Sequence, residues 1–508
     1  MITSQIASAL LLSLEKAVMD GTIKDLVRED LEPEAYNSLW HASSPEELTA
    51  LKMLPSTEAT KTLHEFDVIT SYGEQRGYGV FGETTLPKKT NPTFVRKSVQ
   101  VKLIGEMSET YLLPSLQKTI KVEGQTNAAA ISRSLLMLNL LRKKNKGLYF
   151  LDTSRTRLGA DGLAFKGIIQ QIREGTDGTT GTSPFGSHVI DMEGAALTVD
   201  NLRAKITRVL TLFGYITCFI MDPFVRADFE ATLDASTRLP MPTGIRPLVI
   251  GLSVAGIQTG AGQQMFHSDN ALGPLARGNY TGTMEEGAPI AAPTGTAVFS
   301  GSPSGSNVSK FNAGDAGGYF WIVTEVKNDR ESLGRRFPTA SVQAVTAGGE
   351  EAFNITPNDP MSDYFRVYRG ITGEADTDAS FAFEVANSGG GGPVEFFDLN
   401  HYRPRTSVAL ALALHSDVQR FLAEAPDGRA KQYAAARASS TDFLGQKDSP
   451  QNTVCVASLG PTMGMLRLAD ILPTVDRPLY YSALTPEVRN PLHNLAFINI
   501  GSATFANA

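Results

Sequence analysis

The residue pair best suited by type and spacing to acid/base work is His267 with Asp269, in Met265-Phe266-His267-Ser268-Asp269. An imidazole near a carboxylate could act as a general base with its orienting partner. Positions two apart on a strand also share a face as a matter of course, so a strand is the plainer reading. The seven histidines, His41, His64, His188, His267, His401, His415 and His493, stand singly, with no His-x-x-x-His and no cysteine pair at ligand spacing. Zinc therefore has no support in the sequence. Gly251-Leu252-Ser253-Val254-Ala255 stops one residue short of a nucleophile elbow, because Ala255 stands where the second glycine lets strand and helix approach. Gly260-Ala261-Gly262 lacks both the third glycine of a dinucleotide turn and the Lys-Ser/Thr of a phosphate loop, so it reads as a bent strand or loop. Asp376-Thr377-Asp378 opens like a calcium loop, but the glycine and closing Glu are missing, so a turn is expected. No catalytic, cofactor-binding or metal-ligating residue is expected, and the chain is not expected to be an enzyme.

Composition narrows the classes further. The chain has 508 residues, 42% hydrophobic and 19% charged, against about 25% charged in an average soluble chain. That is enough for three or four units of roughly 150 residues, and it excludes disordered, collagen-like and coiled-coil classes. Lys plus Arg number 46 against 53 Asp plus Glu, a net charge of −7. This is the wrong sign for a protein whose affinity comes from neutralising phosphates. Cys218 and Cys455 lie far apart and suggest reduced thiols. No apolar run reaches the roughly 18 residues of a spanning helix, and residues 6–14 read as an amphipathic helix, so a soluble chain is expected.

Along the chain, residues 1–65 read as helix-rich, broken at Pro33 and Pro55, and end in an extended run over 66–72. Residues 73–104 read as a long β-hairpin with a Pro- and Lys-rich tip around Lys88 and Lys89 and a second strand from Phe94 to Leu103. Its strands offer little apolar surface for a core of their own, so another surface must receive them. A helix is expected over 127–145, with Ile131, Leu135 and Leu138 on one face and Gly147 as its stop. Arg142, Lys143, Lys144 and Lys146 would then complement its C-terminal dipole or meet acidic groups of a neighbouring subunit. Thr198 caps a helix with Leu202, Ile206, Val209, Leu210 and Phe213 on its apolar face; residues 215–221 form a buried strand; Asp222-Pro223 opens the next helix. Between 287 and 405, strands at 297–300, 319–326, 341–345, 364–369 and 381–385 suggest an inserted β-sandwich. Helix 407–423 and strand 495–500 close the chain.

This order of parts resembles the major capsid protein of tailed bacteriophages, the Hong Kong ninety-seven type of fold that encapsulins share. Three stretches carry the likeness: Leu197 to Pro223; the insert, with Tyr319-Phe320-Trp321-Ile322-Val323 and Tyr364-Phe365-Arg366-Val367-Tyr368, similar to immunoglobulin or fibronectin type III domains; and Val488-Arg489-Asn490-Pro491 with Phe497 to Gly501. The resemblance implies an α+β fold divided into an N-terminal arm (1–72), an extended loop (73–125), a peripheral domain with a spine helix (126–196), an axial domain (197–286), the insert (287–405) and a return through axial to peripheral domain (406–508). It implies a shell of hexamers and pentamers enclosing double-stranded DNA in weak contact. Portal, scaffolding or decoration proteins would be its partners, with no membrane, no cofactor, a place in the virion and assembly in host cytoplasm. Lys88, Lys89, Arg96, Lys97, Arg142, Lys143 and Lys144 are the expected subunit contacts. The alternatives are an encapsulin-like compartment or, in a different class, an enzyme carrying a carbohydrate-binding sandwich.

Overall fold

A continuous apolar run must be covered on every face it presents, and the strand order of the central sheet determines where the cover comes from. The computed structural model describes residues 34–35, 48–71, 91, 93–107, 110–111, 121–122, 128–153, 164–176, 186–212, 214, 216–232, 256–259, 262–274, 278–285, 288–289, 291–303, 309–327, 330–339, 341–387, 391–414, 453–460, 463–467 and 475–501. The chain divides into one unit of Met1–Ser44, Gly105–Leu141 and Met463–Tyr481 and another of Pro45–Ile104, Arg142–Thr462 and Ser482–Ala508.

In the second unit a six-stranded mixed sheet runs Gly256–Thr259, Gly262–Ser268, Cys218–Met221, Ser407–Leu412, Leu495–Ile500, Val189–Asp191. Ser407–Leu412 is antiparallel to both neighbours and wholly buried. The helix expected from 407 is therefore a strand; residues 415–450 lie outside the described residues. Val408, Leu410 and Leu412 enter one apolar cluster and Ala409 and Ala411 the other. A strand covered on both faces loses its alternation, and a continuous apolar run then reads equally well as helix.

Over one face lie the helices Val199–Thr211 and Pro223–Thr232. Thr198 caps the first, its hydroxyl accepting from the Asn201 amide at 3.3 Å. Leu202, Ile206 and Val209 are buried as expected, whereas Leu210 is 41% exposed. Asp222 begins the second helix, accepting from the Phe224 amide at 3.3 Å, with Pro223 at its first position. The opposite face meets Leu148 and Tyr149, together with Ile168, Ile169 and Ile172 of the helix Ile168–Thr176.

The long helix is Ala128–Phe150 and passes straight through Gly147, which was expected to end it. Space for a hydrogen alone is not what Gly147 supplies, since a Cβ there would meet Phe165 and Ile104 at ordinary contact distance. Its buried leucines are Leu136, Leu140 and Leu148, while Leu135 is 42% exposed. Residues 135–141 are apolar at six of seven positions, so more than one helical face fits the sequence.

Among the described residues, the chain between Gly262–Ser268 and Ser407–Leu412 adds no strand to the central sheet and builds two sheets of its own. Three antiparallel strands, Thr294–Ser300, Glu350–Thr356 and Val394–Asp398, form one. Gly317–Lys327, Tyr364–Ile371 and Ser380–Ala386 form the other, with Arg330–Glu331, Arg335–Phe337 and Gln343–Val345 added to Gly317–Lys327. Trp321, Val323, Phe353, Ile355, Phe365, Val367 and Phe396 make a shared core, with the Trp321 and Phe353 rings edge to face at 6.0 Å. All five expected strands occur here. Arg330–Glu331, Arg335–Phe337, Glu350–Thr356 and Val394–Asp398 are further strands, each with charged residues that interrupt the apolar pattern. Asp376–Asp378 is a short 3-10 turn.

In the first unit, Gly464–Arg467 pairs antiparallel with the beginning of Pro478–Val488, and Thr110–Tyr111 pairs with Val475–Asp476. Among the described residues no helix is long and apolar enough to cross a membrane.

Candidate assembly surface

The hairpin exists, with a different first strand from the one expected. Leu63–Ser71 pairs antiparallel with Thr93–Gln100, so its first strand comes from the segment assigned to the arm, and residues 72–90 lie outside the described residues. The reason is visible in the register: Phe66 and Val68 sit opposite Lys97 and Val95, whereas Gly77, Gly79 and Gly82 offer no side chains to match that strand. Among the described residues this two-stranded ribbon pairs with no further strand.

Opposed residues share a face, so the ribbon is two-sided. His64, Phe66, Val68, Val95, Lys97 and Val99 line one side; Leu63, Glu65, Asp67, Phe94, Arg96, Ser98 and Gln100 line the other. A narrow ribbon cannot cover its own apolar groups, and Phe94 is left 60% exposed, Leu63 44% and Val95 41%. Beyond the ribbon, Leu103 is 71% exposed. At the base, His64 Nε2 lies 3.4 Å from Glu487, which is fully buried and also accepts from Arg489 at 2.8 Å and the Cys455 thiol at 3.3 Å.

The structure places the expected contact residues unequally. Lys88 and Lys89 lie outside the described residues. Arg96 is exposed but engaged within its own chain, its Nε donating to Asp67 Oδ1 at 2.9 Å across the ribbon. That hydrogen bond holds the Asp67 carboxyl below its usual range and raises the guanidinium. Lys97 is half-buried beside Phe66, and burial pushes its ammonium down. Arg142 is half-buried and Lys143 exposed, but neither stands in the last turn, because the helix continues to Phe150. The expected match to the helix dipole is thus absent. Lys144 is 2% exposed, so it is withdrawn from the surface on which a neighbour could meet it.

A polar cluster that the sequence did not reveal lies beside these lysines. Asp269 is 1% exposed and receives the Thr49 amide at 3.0 Å, Asn145 Nδ2 at 2.9 Å, the Tyr149 hydroxyl at 2.9 Å and the Ala271 amide at 2.9 Å. Burial, and then the charge of Asp269, raises Tyr149 well above its ordinary value. These donors hold the carboxylate in a structural role, and His267 is not among them. Burial and then Arg226 lower His267. Both cysteines are buried and neither forms a disulfide, and burial pushes the Cys218 thiol up to about 12. Among the described residues no cluster of three or more His, Cys, Asp or Glu could hold a metal ion.

No protein-family model matches the chain, and no curated protein sequence matches it. Among solved structures it is similar to the capsid of a native GTA particle, at 7% identity over 96% of this chain and 99% of that one, with a TM-score of 0.42. It is similar to the capsid of cyanophage A-1(L) at 10% identity, over 95% and 99% of the two chains, with a TM-score of 0.41. The holo-SrpI encapsulin complex from Synechococcus elongatus matches at 7% identity over 94% and 95%, with a TM-score of 0.34. With every one of these TM-scores below 0.5, the functional reading rests on the geometry of the chain itself.

Proposed function

We propose that this chain is the major capsid protein of a tailed bacteriophage, a subunit that assembles with copies of itself into a closed icosahedral shell around double-stranded DNA. The observation that carries the reading is the ribbon Leu63–Ser71 with Thr93–Gln100, which pairs with no further described strand and leaves Phe94, Val95 and Leu63 open to water. Such a ribbon has too little surface to stabilise itself, and a second copy of the chain is the cover. Copies in rings of five and six would make related contacts, each weak, and close the shell by their number. In this reading Ala128–Phe150 is the spine helix, the two-sheet module is an inserted immunoglobulin-like sandwich, and it decorates the shell. Arg142 and Lys143 remain proposed contacts, and Lys88, Lys89, Arg96 and Lys97 the ribbon's charged ones.

A sugar-binding role for the insert is less favoured, because Trp321, Tyr364 and Tyr368 are buried and Tyr319 and Tyr402 half-buried, which leaves little open ring surface for a sugar to stack on. Electron microscopy of the concentrated full chain tests the proposal. Closed particles from the wild type, and folded subunits without particles from Phe94→Asp with Val95→Asp, are expected. A wild type that stays monomeric at high concentration, or normal particles from the double variant, would overturn it.

A further inference from the structure

The stretch that carries the chain out of the two-sheet module, residues 399–406, is tied on both of its sides. Toward the module, the Arg403 guanidinium donates to both oxygens of Asp315, at 2.6 and 2.8 Å, and to the Lys310 carbonyl at 3.2 Å. Asn400 Nδ2 donates to the same Asp315 at 3.0 Å, while Asn400 Oδ1 accepts from Arg369 at 2.7 Å. Arg369 also reaches Asp398, which accepts from the indole of the core residue Trp321 at 2.7 Å. The bonds therefore run into the interior of the module.

Toward the central sheet, the Arg403 amide donates to Asn499 Oδ1 at 3.1 Å. Asn499 Nδ2 donates to the His401 carbonyl at 3.0 Å and to Asp191 at 2.9 Å. Asn499 and Asp191 belong to two neighbouring strands of that sheet. A bidentate Arg–carboxylate pair fixes orientation as well as distance, because both partners are planar.

The backbone marks the same place. Among the described residues the non-glycine positions with positive φ are Leu48, Glu193, Asn400, Arg405 and Asn499, and four of the five lie at this junction. Glu193 faces Lys310 across it at 3.7 Å. Left-handed backbone at such residues persists only where the surroundings over-determine it. Closeness adds to the constraint, since a Cβ on Gly501 would stand 2.0 Å from the Gly194 carbonyl oxygen.

We propose that this junction, with the Arg403–Asp315 fork on one side and the Asn499 bonds on the other, is a lock that fixes the attitude of the module on the central sheet. The module is then a rigid platform, not a tethered appendage. The contacts lie within a single chain, so the lock holds whether or not the shell reading does.

Hydrogen exchange on the full chain tests it, in a Trp40→Phe background so that Trp321, the other of the two tryptophans, reports whether the module is folded. Asn499→Gly keeps the left-handed backbone and removes the bonds to the sheet side; Asp315→Asn keeps the shape and weakens the fork. Wild-type amides of residues 399–406 should exchange at least a hundredfold slower than an open loop. Each variant should speed them at least tenfold with Trp321 emission unchanged. Unchanged exchange in both variants, or a wild-type linker that exchanges like an open loop while the core of the module stays protected, would overturn the lock.

Discussion

Asp269 receives donors from three separated stretches of chain, around Thr49, Asn145 with Tyr149, and Ala271. Removing the carboxylate by Asp269→Ala would strand buried donors that have no water to turn to. The expected loss is about 3 kcal/mol in denaturant unfolding, and a loss below about 1 kcal/mol would show that the cluster does not hold these stretches together. Two titrating groups should act with opposite sign. Burial lowers His493 to about 4, so the fold holds the neutral ring; its contribution is present above its ordinary value of 6.5 and lost as pH falls through 4. Burial, and then Asp398 on the opposite strand, raises Glu351 to about 8 from 4.5, so stability is highest below 4.5 and lost as pH rises toward 8. Thermal melts of His493→Gln should flatten the acid side of the stability profile, and those of Glu351→Gln the slope between 4.5 and 8. Profiles that keep the wild-type slopes would remove these groups as the cause.

At the scale of elements, the same residue type has different weight according to cover. Leu410 is fully buried in the central strand, and Leu410→Ala should cost about 3 kcal/mol through lost contacts and a cavity. Leu103, 71% exposed, should change the stability of the isolated chain by less than about 0.5 kcal/mol on the same replacement. In the shell reading the order reverses for assembly: Leu103→Ala and the Phe94/Val95 variant touch surfaces that neighbours would cover. Equal effects of Leu410→Ala and Leu103→Ala on unfolding would contradict the assignment of core and open surface. The ion pair of Arg96 with Asp67 is exposed and open to solvent screening, so it matters more for ribbon register than for stability.

For the whole molecule, the prediction concerns charge and number. Reversing Lys88, Lys89, Arg96 and Lys97 to Glu should leave a folded chain and prevent particles, measured by sedimentation alongside microscopy, and added salt should weaken wild-type assembly if these cations steer it. Normal particles from the reversed chain would remove the charged role of the ribbon. In the proposed shell, a net charge of −7 would suit a lining that lets DNA slide rather than one that grips it.

Caps and short β segments could be read directly from sequence, because their physics is local. Thr198 with Asn201, Asp222 before Pro223 and the turn at Asp376–Asp378 follow from side chains acting on nearby backbone, and the strands around Tyr319 and Tyr364 from short aromatic and β-branched runs set between turn residues. What needed the tertiary structure was everything fixed by distant partners. Ser407–Leu412 is a strand because Cys218–Met221 and Leu495–Ile500 flank it. Gly147 stays helical within a longer helix, and Lys144 is buried despite its charge. The ribbon takes its first strand from Leu63–Ser71 because register is a property of two strands together, and the Asp269 and Arg403 clusters gather residues that lie far apart in the chain. Local sequence specifies how a segment bends; only the folded chain specifies what it meets.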